Sequence, residues 1–294
     1  MNRSVQQHLK DPDRCPYCGD QTVEGDSVEI ESGGAKQRVR CLSCDRQWWD
    51  VYRLFAIVDD GDWMHERVRG AVSSGAEKSD RDMRQRDIVP PERLAEARAT
   101  VVGVGAIGRQ VALQLAAMGI PWLQLIDSDV VEPVNLACQG YLEDDLGRSK
   151  VEATADLCQQ MNHQLDVEER RERFKRTKQV GKCLFCCVDS IETRRFIWNA
   201  VKDRVAFFAD GRMSAEVVRV VTVADAQSRE HYPTSLFSPS EAQTGACTAK
   251  STIFTANIVA GLMLEQFSRW LRTLPVDHDI QLNLLASEMT VACA

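Results

Sequence analysis

Four cysteines stand as two Cys-x-x-Cys pairs, Cys15 and Cys18 in CPYCGD and Cys41 and Cys44 in CLSCDRQWWD, separated by 22 residues. Each short turn presents two thiolates, and two such turns complete a tetrahedral zinc shell. Gly19 suits the turn after the first pair; Asp45, in the corresponding place of the second, accepts a left-handed backbone less readily. The segment is too short to be stable on apolar burial alone, so the metal is expected to supply folding free energy, with Trp48, Trp49 and Tyr52 covering the module. A second chemistry-bearing stretch is Gly103-Val-Gly105-Ala106-Ile107-Gly108, a GxGxxG whose backbone N–H groups can hold a phosphate at a helix N-terminus. Asp127 follows about 20 positions later, as a dinucleotide site would also require. On these features alone a nicotinamide or flavin dehydrogenase, an NAD-dependent oxidoreductase, is the favoured reading. A third is Cys247 in QTGACTAKST, directly before an apolar helix whose N-terminus would lower a thiol pKa, with Lys250 near in sequence.

The elements that must position these residues alternate. TVVGVG reads as a buried strand, AIGRQVALQLAAMG as an amphipathic helix and WLQLID as a second strand, a βαβ unit. A helix over 150–162, a strand at CLFCCVD, a helix over 191–201 and a strand at RVAFFAD continue the pattern. Beyond residue 216, VVRVVTV reads as a strand, 232–245 as a loop, 252–271 as a long apolar helix, and IQLNLLA and MTVACA as closing strands. The expected fold is therefore α/β and Rossmann-like, a mostly parallel sheet with helices on both faces, C-terminal antiparallel strands and a small N-terminal zinc ribbon. The predicted boundaries are 1–58 for the zinc-ribbon-like module, 59–90 for a charged linker or arm, with Pro90 and Pro91 before a helix at 92–98, and 91–294 for the nucleotide-binding domain. Cys183, Cys186 and Cys187 fall inside an apolar strand and, with Cys158 and Cys293, are expected to be structural.

The 294 residues carry a net charge of −7 and are 44% hydrophobic. An acidic, globular composition gives no general attraction to nucleic acid or an anionic membrane, so any nucleic-acid role would be local and is not favoured. The N-terminus has no apolar signal segment, no run is long enough to span a bilayer, and eleven cysteines include two CxxC pairs; a cytoplasmic protein with reduced thiols is expected.

After the second strand runs Asp127-Ser-Asp129-Val-Val-Glu132-Pro-Val-Asn135-Leu-Ala-Cys138-Gln139, followed by Gly147-Arg148-Ser149-Lys150-Val151-Glu152. This resembles the D-x-D-x-V-x-x-x-N-L-x-R-Q and G-x-x-K-V/A-E motifs of the ThiF/MoeB/HesA-like, ubiquitin-activating superfamily. Arg81-Asp-Met-Arg84-Gln85 is similar to that family's R-Y-x-R-Q, and Asp189 in CCVDS falls where its C-T-D-N aspartate lies. The resemblance runs from about Arg81 to Leu271. It implies an ATP-binding adenylyltransferase: magnesium on Asp189, phosphates on Lys150, ribose on Asp127, with Asp129, Asn135 and Gln139 alongside and Arg84 reaching the triphosphate of the opposite subunit in a homodimer. The implied reaction adenylates the C-terminal glycine carboxylate of a small ubiquitin-like or sulfur-carrier protein, with Cys247 as candidate thioester acceptor and a downstream conjugating or sulfur-transfer enzyme completing the chemistry. One departure stands out. Cys138 occupies the family's phosphate-facing arginine position, so either Arg148 or Arg109 compensates or transfer is weakened; a catalytically impaired zinc-ribbon adaptor is the reading that this departure favours.

Overall fold

The computed structural model describes residues 14–31, 34–53, 81–177, 179–237 and 252–292; Cys247, Lys250 and Cys293 lie outside the described residues. The chain divides into two compact units, Met1–Lys78 and Ser79–Ala294.

The first unit is a four-stranded antiparallel sheet: β1 (Val23–Gly25), β2 (Glu29–Glu31), β3 (Gly34–Cys41) and β4 (Gln47–Arg53), with β3 paired to each of the others. Both cysteine turns close the same way, Gly19 N–H donating to Cys15 O (2.9 Å) and Asp45 N–H to Cys41 O (3.0 Å). Both exit residues are left-handed, Gly19 at φ 77° and Asp45 at φ 60°. Asp45 tolerates this as a short polar side chain, and its carboxylate accepts from Arg40 Nε at 2.6 Å. The expectation that Trp48 and Trp49 together cover the module needs correcting. Successive strand residues face opposite sides: Trp48 lies opposite buried Val39 and meets Tyr17 edge-on at 6.0 Å, whereas Trp49 is half exposed with Lys36 Nζ 5.6 Å from its ring. The Tyr52 side chain lies outside what is described.

The second unit opens with turns over 81–88, in the predicted arm, which pack on its own helices: Arg81 and Gln85 donate to the carbonyls of Ala117 and Met118 (both 2.9 Å), and Ser268 Oγ donates to Ile88 O (2.7 Å). Then follow α1 (Pro91–Ala95), β5 (Arg98–Val102), α2 (Ala106–Met118), β6 (Trp122–Ile126), α3 (Pro133–Gln139), α4 (Lys150–Met161), β7 (Asp166–Arg170), β8 (Cys183–Cys186), α5 (Ile191–Val201), β9 (Phe207–Ser214), β10 (Val217–Val223), α6 (Ala226–His231), α7 (Ile253–Leu271), β11 (Asp279–Asn283) and β12 (Glu288–Ala292). The eight strands lie in the order β12-β11-β10-β9-β8-β5-β6-β7. Pairings from β7 to β9 are parallel, and those from β9 to β12 are antiparallel. The predicted α/β sheet with antiparallel closing strands is thus the observed one.

Each central strand is apolar on both sides because helices cover both faces. Val101, Leu125, Phe185, Phe207 and Val220 join one buried cluster with α2, α4 and α7; their neighbours Val102, Ile126, Cys186, Phe208 and Val221 join another with Ile197, Trp198 and Val201 of α5. α7 buries Ala256, Val259, Ala260, Met263, Phe267 and Leu271, the spacing of one helical stripe. Cys158, Cys183 and Cys186 are fully buried in this core, as expected of structural thiols; burial pushes Cys158 and Cys183 up to about 12.

Three elements differ from the sequence expectation. α3 is short and set by local capping rather than periodicity: Pro133 takes the first helical position and Asn135 Oδ1 accepts from Glu132 N–H at 2.9 Å. β7, DVEER, is a polar edge strand paired only to β6 and so carries no apolar alternation. β9 starts later than RVAFFAD and runs on through Ser214, because Ala215 at φ 53° turns the chain directly back into β10.

Candidate functional site

β5 leads by α2 to β6 on one side, while β8 pairs on its other side, so the strand order reverses between β5 and β8. In open α/β sheets ligands bind in the crevice outside the strand C-termini at such a point. The chain leaving β5 is the glycine turn; the chain leaving β8 is Cys187-Val188-Asp189. They touch: a Cβ on Gly103, which is left-handed at φ 84°, would lie 2.8 Å from Cys187 O. A Cβ on Gly108 would run into Gly103 O, so α2 can sit this close to the turn only without a side chain there. At Gly105 the situation is opposite. The nearest atom to a Cβ is Gln139 Oε1 at 3.9 Å, leaving the backbone open to close approach by a ligand. α2 begins with no side-chain cap and no acidic residue in its first turn, so its first N–H groups and its dipole present an anion site.

Asp127 staples this turn. Its Oδ2 accepts from Val104 N–H at 2.6 Å and its Oδ1 from Asp129 N–H at 2.8 Å. Lys150 opens α4 almost buried, with Nζ 3.1 Å from Asp129 Oδ2, and its N–H donates to Asp129 O at 3.0 Å. Asp129 is 62% exposed, so this pair sits at the rim where an incoming phosphate can exchange with the carboxylate. Gln139 ends α3 beside Gly105, its Oε1 buried without a hydrogen-bond partner. Asp189 is exposed, two residues beyond the Cys187 contact, just before Ser190 caps α5. The structure thus brings Gly103 to Gly108, Asp127, Asp129, Gln139, Lys150 and the Asp189 turn around one crevice. Asn135 is used in capping α3, and Arg84 stands exposed on the turns over 81–88.

Neither arginine considered as a replacement for the family residue at Cys138 is free for a ligand. Arg148 is held by Asp145 (3.2 Å), Glu152 (3.3 Å) and Asp156 (2.5 Å), and Arg109 is fully buried beneath Tyr141. Cys138 itself donates its thiol to Val134 O at 3.1 Å.

A group not read from the sequence lies behind the Asp189 turn. Asp210, fully buried on β9, pairs with Arg194 of α5 and with Arg212 (2.7 Å), and its Oδ2 accepts from Tyr232 Oη at 2.8 Å. Arg194 also donates to Val188 O and, at 3.1 Å, to Gly211 O, tying the chain leaving β8 to β9. Arg212 and Arg195 in turn donate to the carbonyls of Ser235 and Leu236, both at 2.8 Å. The only sequence signal was polar residues at inward positions of an otherwise apolar strand and helix.

In the first unit, the Sγ atoms of Cys15, Cys18, Cys41 and Cys44 all lie within 4.8 Å of one another, with Cys15 to Cys44 and Cys18 to Cys41 at 3.6 Å. Four sulfurs about 2.3 Å from one zinc are about 3.8 Å apart, so the donor set fits that ion. Burial raises the Cys15 thiol, but the N–H groups of Cys18 and Tyr17 outweigh it and bring the thiol to about 7; at Cys18 the Asp20 N–H is outweighed by desolvation and the three neighbouring thiols, which push it up to about 12. Four thiols this close cannot all ionise without a cation to share their charge. One zinc per chain is therefore expected by elemental analysis. Removing it with a strong chelator should open residues 14–53 to proteolysis and leave the melting of the α/β unit unchanged; a protease-resistant module free of metal would refute the assignment.

Comparison with known proteins agrees with this geometry. Among curated proteins the chain is similar to the NEDD8-activating enzyme E1 catalytic subunit of Caenorhabditis elegans, 31% identical over 129 residues, 41% of this chain and 29% of that protein. It is also similar to the SAMP-activating enzyme E1 of Haloferax volcanii, 40% identical over 86 residues, 28% of this chain and 32% of that protein. The match thus spans about a third or less of these relatives' length. Among solved structures, PaaA superposes with a TM-score of 0.59 at 21% identity, covering 74% of each chain, and E. coli MccB with MccA with 0.58 at 17%, covering 73% of this chain and 71% of that one; these show the fold. The model of the ThiF family matches residues 81–286, the whole stretch that builds the crevice, and the chain belongs to the ThiF family.

Proposed function

We propose that the crevice between β5 and β8 binds ATP with magnesium and adenylates the C-terminal glycine carboxylate of a ubiquitin-like or sulfur-carrier protein. The observation that carries this reading is the uncapped N-terminus of α2 under an open Gly105, with Lys150 resting on exposed Asp129 and the exposed Asp189 turn following the Cys187 contact with Gly103. The N–H groups of α2 hold phosphate oxygens, Lys150 moves from Asp129 to the phosphates, and Asp127 keeps the turn in shape while offering lone pairs to the ribose. Asp189 would hold magnesium, which neutralises the charge that develops as pyrophosphate leaves. Relatives named for activating NEDD8 and SAMP support a small protein of that kind as the carboxylate substrate that is activated. In this reading Cys247 takes the acyl group as a thioester, Arg84 reaches the triphosphate of a second copy in a homodimer, and a separate conjugating or sulfur-transfer enzyme consumes the product. The site of action proposed is the cytoplasm; among the described residues no helix is long and apolar enough to cross a membrane.

The test is ATP–pyrophosphate exchange with candidate carrier proteins, with mass spectrometry of the mixture. Asp189→Asn is expected to abolish exchange with the melting temperature unchanged, and Cys247→Ala to keep exchange but lose a thiol-labile adduct. Full exchange by Asp189→Asn would remove that residue from the site. A second reading is favoured by Cys138, since neither Arg109 nor Arg148 is free to supply the missing charge: an ATP-binding adaptor without transfer. Retained ATP binding with no exchange by the wild-type protein against any carrier would establish it.

A further inference from the structure

Arg109 is the fourth residue of α2, and its side chain is wholly buried. Ala112 and Ala116, three and seven positions further along the same face, are buried and apolar, and an aliphatic residue at 109 would fill the space without the cost of desolvating a charge. Burial does push the Arg109 guanidinium below its ordinary pKa. What offsets that cost is a specific set of contacts: the Tyr141 ring 4.0 Å from the guanidinium carbon, Gly140 O 3.2 Å from Nε, Thr154 Oγ1 3.0 Å from Nη1, and Asp145 Oδ2 3.9 Å from Nη2. Tyr141 is buried too, and its hydroxyl donates to Val104 O at 2.6 Å, with Thr154 Oγ1 at 3.3 Å. Desolvation drives the phenol further above its ordinary pKa, so it remains a donor.

Val104 is the second residue of the glycine turn, and its N–H is already fixed by Asp127. In a trans peptide the carbonyl and the following N–H point in opposite directions. A hydroxyl holding Val104 O from the interior therefore aims Gly105 N–H outward, at the open position in front of α2. We infer that Arg109 and Tyr141 are positioning residues for phosphate binding: the guanidinium fixes the Tyr141 ring, and the Tyr141 hydroxyl presets the Val104 peptide so that Gly105 N–H meets the nucleotide phosphates. This rests on the nucleotide-binding reading above and deepens it. The pair does not return the charge absent at Cys138; it lowers the cost of ordering the turn around the anion.

Titration calorimetry of the full chain with magnesium ATP and, separately, with adenosine tests this. Tyr141→Phe keeps the ring and removes the hydroxyl. It should weaken ATP about fivefold and leave adenosine unchanged. Arg109→Lys, which keeps the charge but not the planar fork, should do the same. The double variant should be no weaker than the weaker single one, because the two residues act in series. Equal losses for both ligands would make the pair merely structural; unchanged ATP affinity, or additive losses, would overturn the proposal while leaving the nucleotide site intact. A wild-type protein that binds neither ligand would instead sink the nucleotide-binding reading itself.

Discussion

Asp210→Ala should lower the melting temperature of the α/β unit by roughly 6–20 °C. The carboxylate is fully buried between Arg194 and Arg212 and also accepts from Tyr232, so its removal strands two guanidinium groups and a hydroxyl in the interior. Breaking a buried pair by removing one partner costs about 3–5 kcal/mol, and each kcal/mol is worth about 2–4 °C in a unit of this size. Part of the loss is local. Arg194 also secures Val188 O, so the tie between the chain that carries Asp189 and β9 is left resting on the Gly211 O bond alone, with the guanidinium no longer held by its counter-ion. Differential scanning calorimetry of the full chain measures the effect, and a fall of less than about 3 °C would mean that water readily takes the place of the carboxylate.

Lys150→Met should reduce ATP–pyrophosphate exchange about 10²–10³-fold, the loss typical of deleting one preorganised group that stabilises transition-state charge. Stability should hardly change. Methionine keeps the buried aliphatic stem, and the abandoned partner, Asp129, is largely exposed and can be solvated. The effect should therefore fall on turnover with little change in melting temperature. Exchange within threefold of wild type would place the phosphates elsewhere, and Asp127 and Asp189 would then need new roles.

Most of the α/β architecture was legible because buried parallel strands and their covering helices write apolar runs and helical stripes into the chain: α2, α5, α7 and β10 fall where periodicity puts them. β7 and α3 were not legible, one being a polar edge strand and the other a seven-residue helix fixed by Pro133 and a Glu132 to Asn135 cap. At the candidate site, motif spacing singled out the turn, Asp127, Lys150 and the Asp189 position, which the fold gathers around one crevice. It gave no sign that Asp127 would spend one acceptor on Val104 N–H of the turn and another on Asp129 N–H, nor that Lys150 would rest on Asp129. The buried pairs Arg194 with Asp210 and Arg109 with Tyr141 were invisible for a common reason: an isolated charged residue in a helix reads as solvent-facing until the fold shows what covers it.

The strand order has a kinetic corollary. β5 and β6 are joined by a single helix and pair early at small loop-closure cost, but the neighbouring ladder joins Ala99 to Cys183, about eighty residues apart in sequence. Closing a loop of that length costs about 4 kcal/mol of chain entropy before any contact rewards it. Refolding should thus be limited by docking β8 against a preformed β5–α2–β6 nucleus, and the glycine turn should acquire protection from amide exchange before the crevice beside it exists.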